Sequence, residues 1–271
     1  MFMFTCSAIV GCSKEAAPTV GAVSSVESEF ASLSNNELQS ESDSGNIEAT
    51  VALADRYYNG SNEVTQDFEK AFELYSKACD AGNSYAAYSI GYMYIQGQYV
   101  EKNNEKAFEY LKKSADAGFT DAQFCVGYLY ELGLGTSESA EDALRYYKMS
   151  ADNGNSMGQC FAGDMYYYGT VTGEPDYKTA AEYYEKASSS DNPIAMLRLG
   201  MMYENGEGDY KKDQDKAIEL YTESADLGYS IAQATLAYLY MTGTGVAQDY
   251  QKAFDLYTKS AEQDCPEAQY G

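Results

Sequence analysis

Residues 83–119 read NSYAAYSIGYMYIQGQYVEKNNEKAFEYLKKSADAGF, and their reading decides the fold. Ala86, Ile90 and Tyr94 are spaced by four, which is the period of a helix face and not of a strand. Ser84 opens this first helix, and Gly97 closes it, because a glycine just past a helix end takes the left-handed conformation without steric cost. Asn103 then stands four residues before Ala107, where its side chain suits the start of a second helix that buries Ala107, Phe108 and Leu111. Gly118 ends that helix. The stretch is therefore a helical hairpin.

The same pattern recurs along the chain. Tyr57, Tyr94, Tyr130, Tyr166, Tyr203 and Tyr240 are each followed three residues later by Gly60, Gly97, Gly133, Gly169, Gly206 and Gly243, in steps of 37, 36, 36, 37 and 37. Ala71, Ala107, Ala143, Ala180, Ala217 and Ala253 keep the same beat. Asp67, Asn103, Ser139, Asp176, Asp213 and Asp249 stand four residues before those alanines, so every copy has a good cap for its second helix. In the first helix, Ser84 has the counterparts Thr120, Ser156, Ser230 and Asn192-Pro193 as helix openers. A helix-interior position is always tiny: Ala54, Gly91, Gly127, Gly163, Gly200 and Ala237. Glycine there costs about 1 kcal/mol against alanine, so close approach of the partner helix is the expected reason. Tyr75, Tyr147, Tyr184, Tyr221 and Tyr257 take the place of Leu111 in the other second helices. A period in this range denotes a stacked repeat architecture, all-α, in which each hairpin needs its neighbour to cover its apolar face. The repeats are placed at residues 46–82, 83–119, 120–155, 156–192, 193–229 and 230–266, with 267–271 opening a seventh.

The flanks differ in composition. Residues 1–12 read MFMFTCSAIVGC, and Ile9-Val10-Gly11-Cys12 resembles the lipobox of bacterial lipoproteins, in which the Cys becomes the lipidated first residue. That resemblance implies lipidation at Cys12 and, with Ser13 rather than Asp after it, sorting to the outer membrane. No Lys or Arg precedes the short apolar run, so the true start is expected upstream. Without a signal there, a secreted or cytoplasmic location is the alternative. Residues 13–45, rich in Ser and Glu with little periodic apolar pattern, are expected to form a mobile tether.

Charge and composition exclude several function classes. The chain holds 42 acidic and 18 basic residues, a net charge of -24. A phosphate backbone would be repelled, so nucleic acid is not an expected partner. The acids are spread over the sequence, which favours a self-repelling soluble surface over a dedicated site for a basic ligand. There is no His, which removes the commonest general base and metal ligand and, with them, Cys-His and Ser-His-Asp catalysis. Ser190-Asp191-Asn192 spells one penicillin-binding motif, but no Ser stands three residues before a Lys. The Gly-x-Gly loops lack the lysine and third glycine of phosphate loops. No EF-hand-like spacing occurs. The expectation is a protein that is not an enzyme, without cofactor or metal. Cys79 occupies a position filled elsewhere by Ala115, Ala151, Ala225 and Ala261, and so reads as a small buried residue.

What remains is a surface for binding. Tyr88, Tyr92, Phe124, Tyr128, Leu197, Met201 and Tyr238 lie three before or one after the tiny first-helix residue. This stripe turns away from the Ile90/Tyr94 face and either lines a concave recognition wall or packs against the adjacent helix.

The string A-x-x-x-L/I-G-x-x-Y-x-x-G, then D/N-x-x-K-A-x-x-x-Y and S/A-A-x-x-G, resembles the Sel-one-like repeat (SLR), a cousin of the tetratricopeptide repeat. Residues 230–264 match it closely, including Gly243-Thr244-Gly245-Val246, and the resemblance spans residues 46–271. It implies a right-handed α-solenoid of about six repeats that serves as an adaptor or scaffold for a protein or peptide partner. Two departures qualify it. The family often has Trp before the second-helix Tyr, and this chain has no Trp. The cysteine pairs of its disulfide-rich secreted branch are absent, since the residue eight after Cys79 is Ala87, and the β-lactam-related hydrolase activity suggested for that branch transfers poorly. The competing reading is a cell-wall accessory protein whose tyrosines stack on sugars.

Overall fold

The computed structural model describes residues 30, 32–61 and 64–263. Among them are thirteen helices and no strand: α1 (Asn35–Asp43), α2 (Ile47–Asn59), α3 (Phe68–Asp80), α4 (Ser84–Gln96), α5 (Asn104–Asp116), α6 (Thr120–Leu132), α7 (Ala140–Asp152), α8 (Ser156–Tyr167), α9 (Tyr177–Ser188), α10 (Pro193–Asn205), α11 (Gln214–Asp226), α12 (Ser230–Thr242) and α13 (Tyr250–Ala261). From α2 onward, even-numbered helices are the first and odd-numbered ones the second of each hairpin. The chain divides after Met149 into two compact units.

All six second helices begin at the expected cap. Asp67, Asn103, Asp176, Asp213 and Asp249 accept a bond from a backbone N–H three residues on, and Ser139 Oγ accepts one from the Asp142 N–H at 3.2 Å. The first helices start differently from the expectation. Ser84, Ser156 and Ser230 are already inside their helices, and the cap is the residue before each. Asn46, Asn83 and Asn155 accept from Ala49, Ala86 and Gly158, while Phe119 and Tyr229 make no side-chain cap bond. Phe119 instead packs its ring on Tyr85 and Tyr88, which fixes that junction by aromatic contact without satisfying the helix's open N–H groups. Asn192 accepts from Ile194 and Ala195, which makes Ser190-Asp191-Asn192 a helix entry.

The stripe Ala86, Ile90 and Tyr94 is buried, as the spacing requires. A Cβ placed on Gly91, Gly127, Gly163 or Gly200 would lie 2.5–2.7 Å from Leu111, Tyr147, Tyr184 or Tyr221 of the partner helix. The tiny position is therefore a point of close helix contact. Side-chain clasps that the spacing did not reveal hold the hairpins together within and between repeats. Ser114, Ser224 and Ser260 donate to the carbonyls of Ser84, Pro193 and Ser230 at 2.6–2.8 Å, tying the end of each second helix to the start of its own first helix. Gln123 and Gln233 donate to the carbonyls of Ala115 and Ala225 in the preceding repeat.

One expectation is corrected. The predicted mobile tether contains α1, which begins with a complete Ser34/Glu37 capping box. Leu38 is fully buried against Ala49, Ala52 and Leu53, and the Lys77 ammonium donates to the Ser42 carbonyl at 2.8 Å. The helix thus covers the apolar face that the first repeat would otherwise leave open. Residues 1–29, with Cys12, and the segment 264–271 lie outside the described residues.

Candidate functional site

The first-helix stripe is split by burial. Tyr88, Phe124 and Leu197, three residues before the tiny position, are buried. They are corrected from accessible surface to core, because that side of the first helix meets other helices: Tyr88 packs at 5.1 Å on Phe119, and Phe124 at 5.7 Å on Tyr147. Tyr92, Tyr128 and Met201, one residue after the tiny position, are half-buried, and Tyr238 is 53 % exposed. Tyr92 on α4 and Tyr128 on α6 stand at equivalent positions in the N-terminal unit; Met201 on α10 and Tyr238 on α12 do so in the C-terminal unit. Partial desolvation raises the Tyr92 phenol, a hydrogen bond with Gln96 opposes this, and the neighbouring Cys125 thiol adds to it.

The same column in the first and fourth repeats carries Asp55 and Asp164, each over nine-tenths buried. Sequence reading missed them as two acids among many. Their signal was an acid in a column otherwise filled by Tyr and Met on an apolar helix. Tyr75 donates its hydroxyl to Asp55 at 2.5 Å, and Tyr85 does so at 3.2 Å. Tyr184 donates to Asp164 at 2.5 Å, and Arg198 grips the same carboxylate through Nε at 2.8 Å and a terminal nitrogen at 3.2 Å. In the third and fifth repeats the acceptor moves one turn along, to Glu131 for Tyr147 (2.5 Å) and Glu204 for Tyr221 (2.7 Å). Four second-helix tyrosines thus find a carboxylate on their own first helix, as a buried hydroxyl requires. Burial drives the Tyr75 and Tyr184 phenols far up, and their neighbouring carboxylates push the same way. Burial is the largest single influence on Arg198 and works against its charge, but Asp164, with Tyr184 and Tyr168, together outweigh it and hold the guanidinium ionised. These acids are structural partners.

The ladder tyrosines carry a second, outer set of contacts. Tyr94, Tyr130 and Tyr166 stack on Tyr110, Tyr146 and Tyr183 at 5.7–5.9 Å, and Lys70, Lys106 and Lys252 lie over Tyr57, Tyr94 and Tyr240 at 5.0–5.2 Å. Cys79, Cys125 and Cys160 are buried and form no disulfide, and burial pushes the Cys125 thiol well above the ordinary thiol range, which leaves no thiolate at that residue. Among the described residues no group of three or more His, Cys, Asp or Glu is placed to hold a metal ion, and no helix is long and apolar enough to cross a membrane.

The model of the Sel1 repeat matches residues 47–83, 84–119, 120–155, 156–192, 193–229 and 230–265. The chain belongs to the Sel1 repeat family. It is similar to c5321, described as a protective antigen of uropathogenic Escherichia coli strains displaying an SLR fold, at 32 % identity and a TM-score of 0.77 over 88 % of this chain. The chain spans half the length of that relative. A Sel1 repeat protein from Oxalobacter formigenes matches at 23 % identity and a TM-score of 0.75, over 83 % of this chain and 96 % of the other. An immunity protein of Pseudomonas aeruginosa, Pa5087, matches at 21 % identity and a TM-score of 0.52, over 79 % of this chain and 83 % of the other. No curated protein matches the chain. The fold class of this Sel1 repeat protein is the α-solenoid of tandem helix-turn-helix units, and proteins built this way are in general protein-binding scaffolds.

Proposed function

We propose that this Sel1 repeat protein is a non-catalytic scaffold of the bacterial cell envelope that binds a protein or peptide along the first-helix face. The observation that carries the reading is the equivalent placement of half-buried Tyr92 and Tyr128 on α4 and α6, each one turn from a residue, Tyr88 or Phe124, that is packed as core. Large, rigid aromatic side chains that keep part of their surface in water are the residues that anchor interfaces. The double variant Tyr92→Ala, Tyr128→Ala is expected to lose partner capture from envelope extract, by about tenfold or more, with the melting temperature kept within a few degrees. Capture that survives alongside a lowered melting temperature would assign both residues to the core. Sedimentation of the wild type with purified cell wall, unaffected by competing protein, would favour sugar stacking instead.

Envelope tethering rests on Ile9-Val10-Gly11-Cys12. A lipid on Cys12 would hold the body at the membrane without any spanning helix. Expressed from its native gene, the Cys12→Ala variant is expected to move from the membrane fraction to the soluble one. Unchanged fractionation would remove the lipid anchor and with it the outer-membrane placement.

A further inference from the structure

Helix α1 docks as a shortened second helix would. The junctions Asp43-Ser44-Gly45-Asn46 and Asp80-Ala81-Gly82-Asn83 make the same turn, with Gly45 and Gly82 at φ 98° and 91° and with Asn46 and Asn83 capping α2 and α4. Lys77 donates to the Ser42 carbonyl at 2.8 Å, and its counterpart Lys113 donates to the Cys79 carbonyl at 3.1 Å. Ser42 therefore stands where Cys79 stands in α3, and Leu38 where Tyr75 stands; both Leu38 and Tyr75 are fully buried. The likeness ends at the outer turns. Helix α1 has 9 residues against 13 in α3, and Asn35 takes the place of Phe72. Phe72 packs on Tyr94, the ladder tyrosine of the following first helix, at 6.0 Å, as Phe108 packs on Tyr130 at 5.1 Å. Asn35 offers Tyr57 no such ring, for it accepts from Arg56, and Tyr57 stays half-buried. The first-helix face of the first repeat thus fits a full second helix, and α1 covers it incompletely.

The matching surface is on α13. Tyr250, Phe254, Tyr257 and Ala261 are spaced by four, three and four, so they form one stripe along that helix. Tyr250 and Phe254 are 67 % exposed, and Tyr257 is half-buried. At the position of Tyr257 the other five second helices carry Tyr75, Leu111, Tyr147, Tyr184 and Tyr221, all fully buried. We propose that the face of the first repeat beneath α1 is a docking site for α13 of a second copy, so that displacement of α1 joins copies head to tail. Seated in the place of α1, α13 sets Tyr257 on Ala49, Ala52 and Leu53, Phe254 on Tyr57, and the Ala261 carbonyl before the Lys77 ammonium. Contacts of each kind already join consecutive repeats, so the interface continues one that the chain makes with itself. The two copies use different surfaces, and such heterologous contacts build rings or open chains rather than two-fold dimers. Helix α1 is the brake. It is held by Leu38, by the bond between Ser42 and Thr50, and by Lys77. Isolated helices shorter than about 12 residues are marginal in water, so α1 does not persist once undocked. The charge of -24 on each copy opposes the approach, and salt therefore favours assembly. The proposal is independent of partner binding at Tyr92 and Tyr128.

Sedimentation velocity of the full chain in about 0.3 M NaCl, from about 1 to about 100 μM, tests this. The wild type, with α1 docked, is expected to stay mainly monomeric. Leu38→Asp, which puts a charge into the pocket that holds α1, should raise the weight-average mass at least about twofold at the highest concentration. Adding Phe254→Asp to that variant should restore the monomer. If a melting curve shows that Leu38→Asp does not fold, the pair Ser34→Ala, Glu37→Ala, which removes only the α1 capping box, takes its place under the same two criteria. A folded variant with loosened α1 that remains monomeric throughout would overturn the proposal. So would association that Phe254→Asp leaves unchanged, because bared apolar surface would then be adhering without α13.

Discussion

Replacing Arg198 by Ala is expected to destabilise the protein by about 3–5 kcal/mol, measured by urea denaturation, because it strands a buried carboxylate. Asp164 has a side chain 10 % exposed, and its guanidinium partner is 6 % exposed, so water cannot replace the lost bonds. Only the Tyr184 hydroxyl would remain on Asp164. The ion pair also joins two repeats: Asp164 belongs to α8 and Arg198 to α10, 34 residues later. Removing both charges together is a different experiment. The double variant Asp164→Leu, Arg198→Met is expected to recover much of the lost stability, since a well-packed apolar pair is often as good as a buried ion pair. A single Arg198→Ala variant that loses less than about 1 kcal/mol would mean that Asp164 is solvated or rearranged, contrary to the geometry. The first repeat shows that the guanidinium is not the only solution. There, Tyr85 on α4 reaches back to Asp55 on α2 and does with a hydroxyl what Arg198 does with a charge.

How much of this was legible depends on the range of the interaction. The second-helix caps were readable because Asp67, Asn103 and their counterparts act within three residues, and six copies of one local rule reinforce each other. The tiny first-helix position was readable for the same reason, since glycine in a helix interior needs an explanation and close contact supplies it. The capping helix α1 was missed. Its apolar content is little more than Leu38, and that single side chain becomes decisive only when Ala49, Ala52 and Leu53 are already assembled to receive it. The Ser34-x-x-Glu37 box was a local signal that could have been read there. The first-helix caps were misplaced by one residue because Asn and Ser are both good caps, and only backbone geometry tells which of Asn83 and Ser84 is outside the helix. Within the candidate stripe, helical spacing placed the residues on one side of the helix but did not give their depth. Tyr88 and Tyr92 are one turn apart, and Tyr88 is covered because Phe119, at the end of the same repeat, comes to rest on it. The pairing of second-helix tyrosines with first-helix carboxylates is a contact between separate helices, and its acceptor changes register between repeats, so no fixed spacing announced it.

The Gly200→Leu variant is expected to lose about 3 kcal/mol or more, at or beyond the upper end of ordinary overpacking. Even a single added carbon at Gly200 would lie 2.5 Å from Cε1 and 2.7 Å from Cδ1 of Tyr221, and 3.2 Å from the Ala217 carbonyl oxygen. The obstructing ring has little freedom to retreat. Tyr221 is fully buried, and its hydroxyl is tied to Glu204 at 2.7 Å, so moving the ring breaks a hydrogen bond as well as its packing. The alternative is to push α11 away from α10, which opens the contact along the whole hairpin. Gly200→Ala is expected to cost less, because the first repeat combines a fully buried Ala54 with a fully buried Tyr75, so that one methyl group is accommodated at the equivalent position there. Unfolding curves of the two variants, with helix content followed by circular dichroism, should rank wild type above Ala and Ala above Leu. Leu at wild-type stability would mean that α10 and α11 do not approach at this residue. Glycine inside a helix costs about 1 kcal/mol relative to alanine. Its presence at the equivalent position in four repeats therefore places the gain from close packing above that figure.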